Sequence, residues 1–226
     1  MKRSNKTVRV VRHTKLYIFL HWLIVFEVLV LLFTGLNLTL GVPGSEAINF
    51  FNRGTARALH IAMGFIWLGT VIFFLYYFVI SGEYFCFGLT NSLKSIDFFI
   101  KEIRLFLLGK RMKHPIRYDP EKGRYVQKIA PPEVVAWWLW FTLWVLIALT
   151  GLALVFPTHF GIILRLSHWL IPSWLDPVSS TQELHGVIAI MFVVVMIIHA
   201  YAAWYFGLVG SMITGEHDAP VVEKED

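Results

Sequence analysis

Cysteine is nearly absent from this 226-residue chain: Cys86 is its one thiol. A single thiol excludes an internal disulfide and cannot hold an iron–sulfur cluster, which takes four thiolates. Charge is scarce as well. Only 15% of residues are charged, against about a quarter in soluble domains. With 57% hydrophobic residues and a mean hydropathy of +0.63, the chain is no soluble globular domain. Low-complexity tracts are missing, and one domain is expected over 1–226. A cleavable leader is not expected either. The first fifteen residues are polar and basic, and the apolar stretch behind them is long enough to remain as an anchor.

What is present is apolar sequence gathered into blocks. Crossing roughly 30 Å of hydrocarbon takes about 20 apolar residues in an α-helix. Four blocks meet that length, at about 16–40, 58–80, 134–156 and 184–209. Backbone groups in lipid must satisfy one another, so each block is expected to be a helix. The predicted fold is all-α: an integral membrane four-helix bundle with a cytoplasmic loop at 81–133 and a tail at 210–226.

The basic residues set the expected orientation. Of 20 Lys and Arg, six precede the first block, ten lie between the second and third, and Lys224 is in the tail. Only Arg53, Arg57 and Arg165 remain for the two other loops. The positive-inside rule then puts both termini in the cytoplasm of a multi-pass protein. A nucleic-acid partner is excluded on the same ground, and the sequence pI of about 9.4 points to anionic lipid headgroups instead. Within the long loop, Leu93, Ile96, Phe99, Ile100, Ile103 and Leu107 recur at helical spacing, predicting a short helix in the membrane interface. Residues 112–132, with charges, Gly and prolines, are expected to be irregular. The 157–182 loop, with prolines around several tryptophans, is expected to form a partly interfacial turn.

Nine histidines are present, and His21, His60, His185 and His199 fall inside or at the mouths of the blocks. Ionisable groups at membrane depth are costly and generally functional. Any one alone also suits a histidine bonded to a neighbouring helix. Jointly they show more order. His185 and His199 are 14 residues apart, which places them near one helix face and about 21 Å apart along the axis. By height, His21 pairs with His199 on the inner side and His60 with His185 on the outer side. Each pair offers two imidazoles at one level, as a bis-histidine haem needs. A zinc site would gather three or four ligands at one height. No Cys-X-X-Cys-His occurs, so covalent haem attachment has no signature.

Gly35, Gly64, Gly151 and Gly186 lie near these histidines. They suit clearance for a macrocycle and, equally, close helix packing. Helices one and three both end in Thr-Gly-Leu, at 34–36 and 150–152. Glu27 sits mid-helix with no obvious partner, open to a role in a proton path or, equally, to facing a polar interior or another subunit. His13, His114, His159, His168 and His217 are expected at solvated edges.

These residues resemble the gamma, or cytochrome b, subunit of respiratory membrane formate dehydrogenases. The resemblance is carried by His21-Trp22 followed by Thr34-Gly35, by His60 in Arg57-Ala-Leu-His60, and by the spacing of His185 and His199. Cytochrome b subunits of nickel–iron hydrogenases and bacterial cytochrome b561 belong to the same wider group. The resemblance implies two haem b, an outer one on His60 and His185 and an inner one on His21 and His199. It implies a prokaryotic inner-membrane subunit without primary catalytic residues of its own. Electrons would arrive from an iron–sulfur subunit, served by a molybdopterin formate dehydrogenase or nickel–iron hydrogenase catalytic subunit, and leave to menaquinone or ubiquinone. Arg12 and Lys15, and Arg53 and Arg57, are the propionate candidates. Where the family carries an Asn-Ala-Gly-Gln-Lys-like quinone stretch, this chain has Tyr125-Val-Gln127-Lys128, so Gln127 and Lys128 are the quinone candidates. A stand-alone b561-type cytochrome is the alternative, and a haem-free membrane anchor the alternative of another class.

Overall fold

A computed structural model describes residues 7–40, 51–108, 116–129, 131–171 and 176–221. Four long helices dominate: α1 (Lys15–Leu40), α2 (Arg53–Ile80), α4 (Pro131–Val155) and α6 (Pro177–Tyr205). Each is long and apolar enough to cross a membrane. Between them lie α3 (Leu89–Leu107) and α5 (Gly161–Leu170), and the short α7 (Ser211–Thr214) follows the last. Among the described residues there are also four short strands: β1 (Thr7–Val11), β2 (Arg117–Asp119), β3 (Arg124–Gln127) and β4 (Glu216–Pro220).

The distribution of polarity is the reverse of a water-soluble bundle. On α1, Glu27, Thr34 and Asn37 are 1–3% exposed, while Phe19, Phe26 and Phe33 are about 60% exposed. Lipid explains this directly, because tails accept apolar side chains while polar ones must find partners inside. Thr34, Thr150 and Thr181 each donate a hydroxyl hydrogen bond to the carbonyl one turn back. Glu27 does have a partner: Thr70 Oγ1 donates to its Oε1 at 2.7 Å.

Helix ends depart from the hydropathy blocks because hydropathy marks the lipid-facing length, not the helix. The second helix starts at Arg53 rather than 58, where Asn52 Oδ1 accepts the Thr55 N–H at 2.8 Å. The last long helix starts at Pro177 rather than 184, capped by Asp176, whose Oδ1 accepts the N–H groups of Val178 and Ser179. Those amides, Ser179 first, hold the Asp176 carboxyl below the usual carboxylate range. The same helix stops at Tyr205 rather than 209, because Gly207 turns left-handed at φ 67°.

The residues cluster into two compact units, and each long helix contributes to both. One unit comprises Met1–Ile18, Phe78–Trp140 and Val195–Asp226. In it β1 and β4 pair antiparallel, Thr7 opposite Pro220 and Val11 opposite Glu216, which brings the two ends of the described chain side by side. Gly215, at φ 82°, closes α7 and lets its carbonyl accept the N–H groups of Arg12 and His13. Residues 112–132 are not irregular throughout: β2 and β3 form a hairpin, with Gly123 at φ 59° in its turn. Phe78, Phe87 and Val134 make a small core on which Trp137 stacks. The predicted helix in the long loop is α3, with Leu93, Ile96, Ile100, Ile103 and Leu107 all exposed along one face.

The other unit comprises Phe19–Tyr77 and Phe141–Val194. Its connecting segment is not the simple turn expected at 157–182, since Gly161–Leu170 is helical. His168 on that helix is half-buried, and its Nδ1 lies 2.9 Å from the buried Ser180 hydroxyl.

Candidate cofactor site

The second unit contains one large cavity, of about 1040 Å³, between α1, α2, α4 and α6. Its wall is mostly apolar, and His60 and His185 both belong to it. Apolar lining with a few convergent polar groups is the usual character of a cofactor site, and this volume lies at the top of the common range.

The two imidazoles face one another with ring centres 6.3 Å apart and planes at 79°. That distance is compatible with two imidazoles sharing one metal. A five-membered ring with edges of about 1.33 Å holds each nitrogen about 1.1 Å from its centre. Two such rings on one metal, at about 2.0 Å each, have centres about 6.2 Å apart. The other nitrogen of each ring is engaged: His60 Nδ1 lies 2.9 Å from Thr34 Oγ1, and His185 Nδ1 lies 2.8 Å from Thr150 Oγ1. Nε2 is therefore the nitrogen of each ring left for a ligand.

The glycines of this unit divide into two kinds. At Gly35 an added Cβ would stand 3.4 Å from His60 Cε1, and at Gly151 3.3 Å from His185 Cε1. Both let an imidazole press against a neighbouring helix. At Gly64 and Gly186, also in the cavity wall, an added Cβ would meet nothing within 4 Å. Close helix packing thus does not require glycine at 64 and 186, and the cavity space beside them is open to a macrocycle. The paired rings, the glycine-lined wall and the apolar volume fit a haem held by His60 and His185.

Arg53 and Arg57 also line this cavity. Neither forms an ion pair among the described residues, so their charges stand available at its rim. The remaining expected site residues fall differently. His21 belongs to the cavity-bearing unit, beside Trp22, whereas His199 belongs to the sheet-bearing one. There His199 packs edge-on to Trp140, with ring centres 6.2 Å apart.

In the sheet-bearing unit Arg12 is buried, and its Nη2 donates to both oxygens of Glu133 at 2.9 Å. Its Nε and Nη1 are buried and carry no hydrogen bond among the described residues. Lys15 is exposed at the start of α1. Lys128 pairs with Glu83, and the backbone of Gln127 ends β3 opposite Arg117; the Gln127 side chain and His114 lie outside the described residues. The Thr-Gly partners of the two histidines were visible in the sequence only as an echo between two helices.

Four apolar spans around an apolar cavity with two neighbouring imidazoles in its wall define the class: a multi-pass membrane protein with room for a cofactor among its helices. The family model for prokaryotic cytochrome b561 matches residues 12–215, and the chain belongs to that family. It is accordingly a membrane cytochrome b of electron transport, and cytochromes of this family bind haem b. No curated protein sequence matches the chain.

Proposed function

We propose that this chain is the di-haem subunit of a respiratory complex, carrying electrons across the cytoplasmic membrane from an iron–sulfur partner to a quinone. The observation that carries the reading is the His60–His185 pair at 6.3 Å. When bound, haem b would supply a one-electron iron couple, with His60 and His185 as the residues that would hold it, which suits electron transfer rather than oxygen chemistry. The protein's part is to hold each imidazole on axis, keep water from the cavity and place positive charge at its rim through Arg53 and Arg57.

The inner seat is assigned to His21 and His199. His199 stands 14 residues beyond His185 on one helix, about 21 Å along the axis. The asymmetry of Lys and Arg supports both termini in the cytoplasm, with the His60–His185 level on the opposite side. The exposed apolar face of α3 then rests in the cytoplasmic interface. Arg12, through its unbonded Nε and Nη1, is the inner propionate candidate, with Lys15 beside it in sequence. Gln127 and Lys128 remain the quinone candidates, with Lys128 reached only by opening its pair with Glu83.

The lone Cys86 requires that any iron–sulfur cluster sit in a partner. A formate dehydrogenase-like complex is the first reading, a nickel–iron hydrogenase the second, and a stand-alone b561-type cytochrome the third. Gentle purification from the native membrane separates them. Co-elution of an iron–sulfur protein with a molybdopterin or nickel–iron enzyme supports a subunit role. A cytochrome that elutes alone and still exchanges electrons with quinol supports the stand-alone reading. A reduced-minus-oxidised spectrum without b-type bands leaves only a haem-free anchor.

A further inference from the structure

We propose that Thr34-Gly35 and Thr150-Gly151 are two copies of one positioning device, which fixes the tautomer and height of His60 and His185 before any cofactor binds. The inference rests on the reading of these histidines as the axial pair of one haem. The Thr-Gly pairs stand on α1 and α4, whereas the histidines stand on α2 and α6. Each ring is therefore held by a helix other than its own.

The direction of each hydrogen bond follows from counting protons. A threonine hydroxyl has one proton to give and lone pairs to receive. Thr34 Oγ1 lies 2.9 Å from the Val30 carbonyl and 3.1 Å from that of Leu31, both acceptors only. Thr150 Oγ1 repeats this with Leu146 at 2.8 Å and Ile147 at 3.2 Å. With its proton given to the helix, each oxygen is an acceptor towards Nδ1 of its histidine, at 2.9 and 2.8 Å. Both imidazoles thus carry their proton on Nδ1 and present the Nε2 lone pair. Both threonines are nearly fully buried, at 2% and 3% exposed, so water does not compete for these bonds.

The glycine after each threonine sets the height. It lets Cε1 come within 3.4 Å at Gly35, and 3.3 Å at Gly151, of the point a Cβ would occupy. The threonine pulls the ring towards the helix and the glycine lets it arrive. An acceptor on Nδ1–H makes the imidazole a stronger donor at Nε2, which favours the ferric over the ferrous state. Equal devices on both sides predict equal effects from the two threonines.

The test uses the full chain in detergent, with Thr34→Val, Thr150→Val and the corresponding Ser variants. Retention of b haem and the reduction potential of each haem are measured. Valine keeps the shape and removes the acceptor, so haem affinity should fall about 10- to 100-fold. The potential of one haem should rise, by about 59 mV for each tenfold loss of ferric preference. Serine at either position should restore both. Wild-type affinity and potential in both Val variants would overturn the inference, as would Ser variants that behave like Val. Failure of the underlying reading looks different: wild-type protein without b haem, or His60→Ala and His185→Ala that keep every haem.

Discussion

Replacing Gly151 with alanine separates the stability of the fold from its grip on a cofactor. The added methyl would lie 3.3 Å from His185 Cε1 and 3.9 Å from its Nδ1. Carbon atoms prefer about 3.5–4.0 Å, so the ring must retreat by a few tenths of an ångström. It cannot turn freely, because Thr150 holds Nδ1 at 2.8 Å. The displacement is passed to Nε2 and to whatever metal it binds. Overpacking of this kind costs about 1–3 kcal/mol, which corresponds to a loss of about 5- to 150-fold in haem affinity.

The effect on the helix itself has the opposite sign, since alanine is about 1 kcal/mol better than glycine in a helix interior. This gain offsets part of the steric cost in the apoprotein, so its melting point should change less than haem retention does. Gly35→Ala, with its Cβ at 3.4 Å from His60 Cε1, should show a smaller loss. Gly69→Ala, whose Cβ meets nothing within 4 Å and which lies outside the cavity wall, is the control. Haem transfer to a scavenging apoprotein gives the off-rates, and calorimetry gives the melting points. If Gly151→Ala releases haem no faster than Gly69→Ala, the contact with His185 does not govern the seat.

Three further outcomes follow from the sheet-bearing unit. Glu133→Ala should destabilise the protein by about 3 kcal/mol, the low end for stranding a buried charge because Glu133 is itself partly exposed; Arg12, 2% exposed at its side chain, loses its carboxylate partner, and detergent-solubilised unfolding reads the difference. Gly215→Ala should cost more than the roughly 1 kcal/mol of a left-handed position alone, because its Cβ would stand 2.8 Å from the His13 carbonyl oxygen; proteolysis of the β1–β4 pair should rise accordingly. Burial, aided by the Glu83 carboxylate and opposed by Lys128, pushes the Cys86 thiol up. Since the thiolate is the reactive form, alkylation of Cys86 should begin only above the pH at which free cysteine reacts, and Glu83→Gln should bring that profile down.

The sequence reveals the spans because lipid imposes one composition on any helix that crosses it. It reveals the histidines because polar residues at that depth are few. The ends of α2 and α6 are set by Asn52, Asp176 and Gly207 instead, through local hydrogen bonds and one left-handed turn. Those signals are present in the sequence, but hydropathy is blind to them. The β1–β4 pair joins residues more than 200 positions apart, and no local pattern announces such a partnership. The Thr-Gly echo shows the limit most clearly. Its repetition is legible, yet its purpose depends on which imidazole each threonine reaches across the bundle.

Haem stoichiometry tests the account most directly. Purified wild-type protein should carry two b haems per chain, and His60→Ala and His185→Ala should each carry one, with the same remaining spectrum in both. Loss of different haems from these two variants, or of neither, would contradict the pairing on which the account stands.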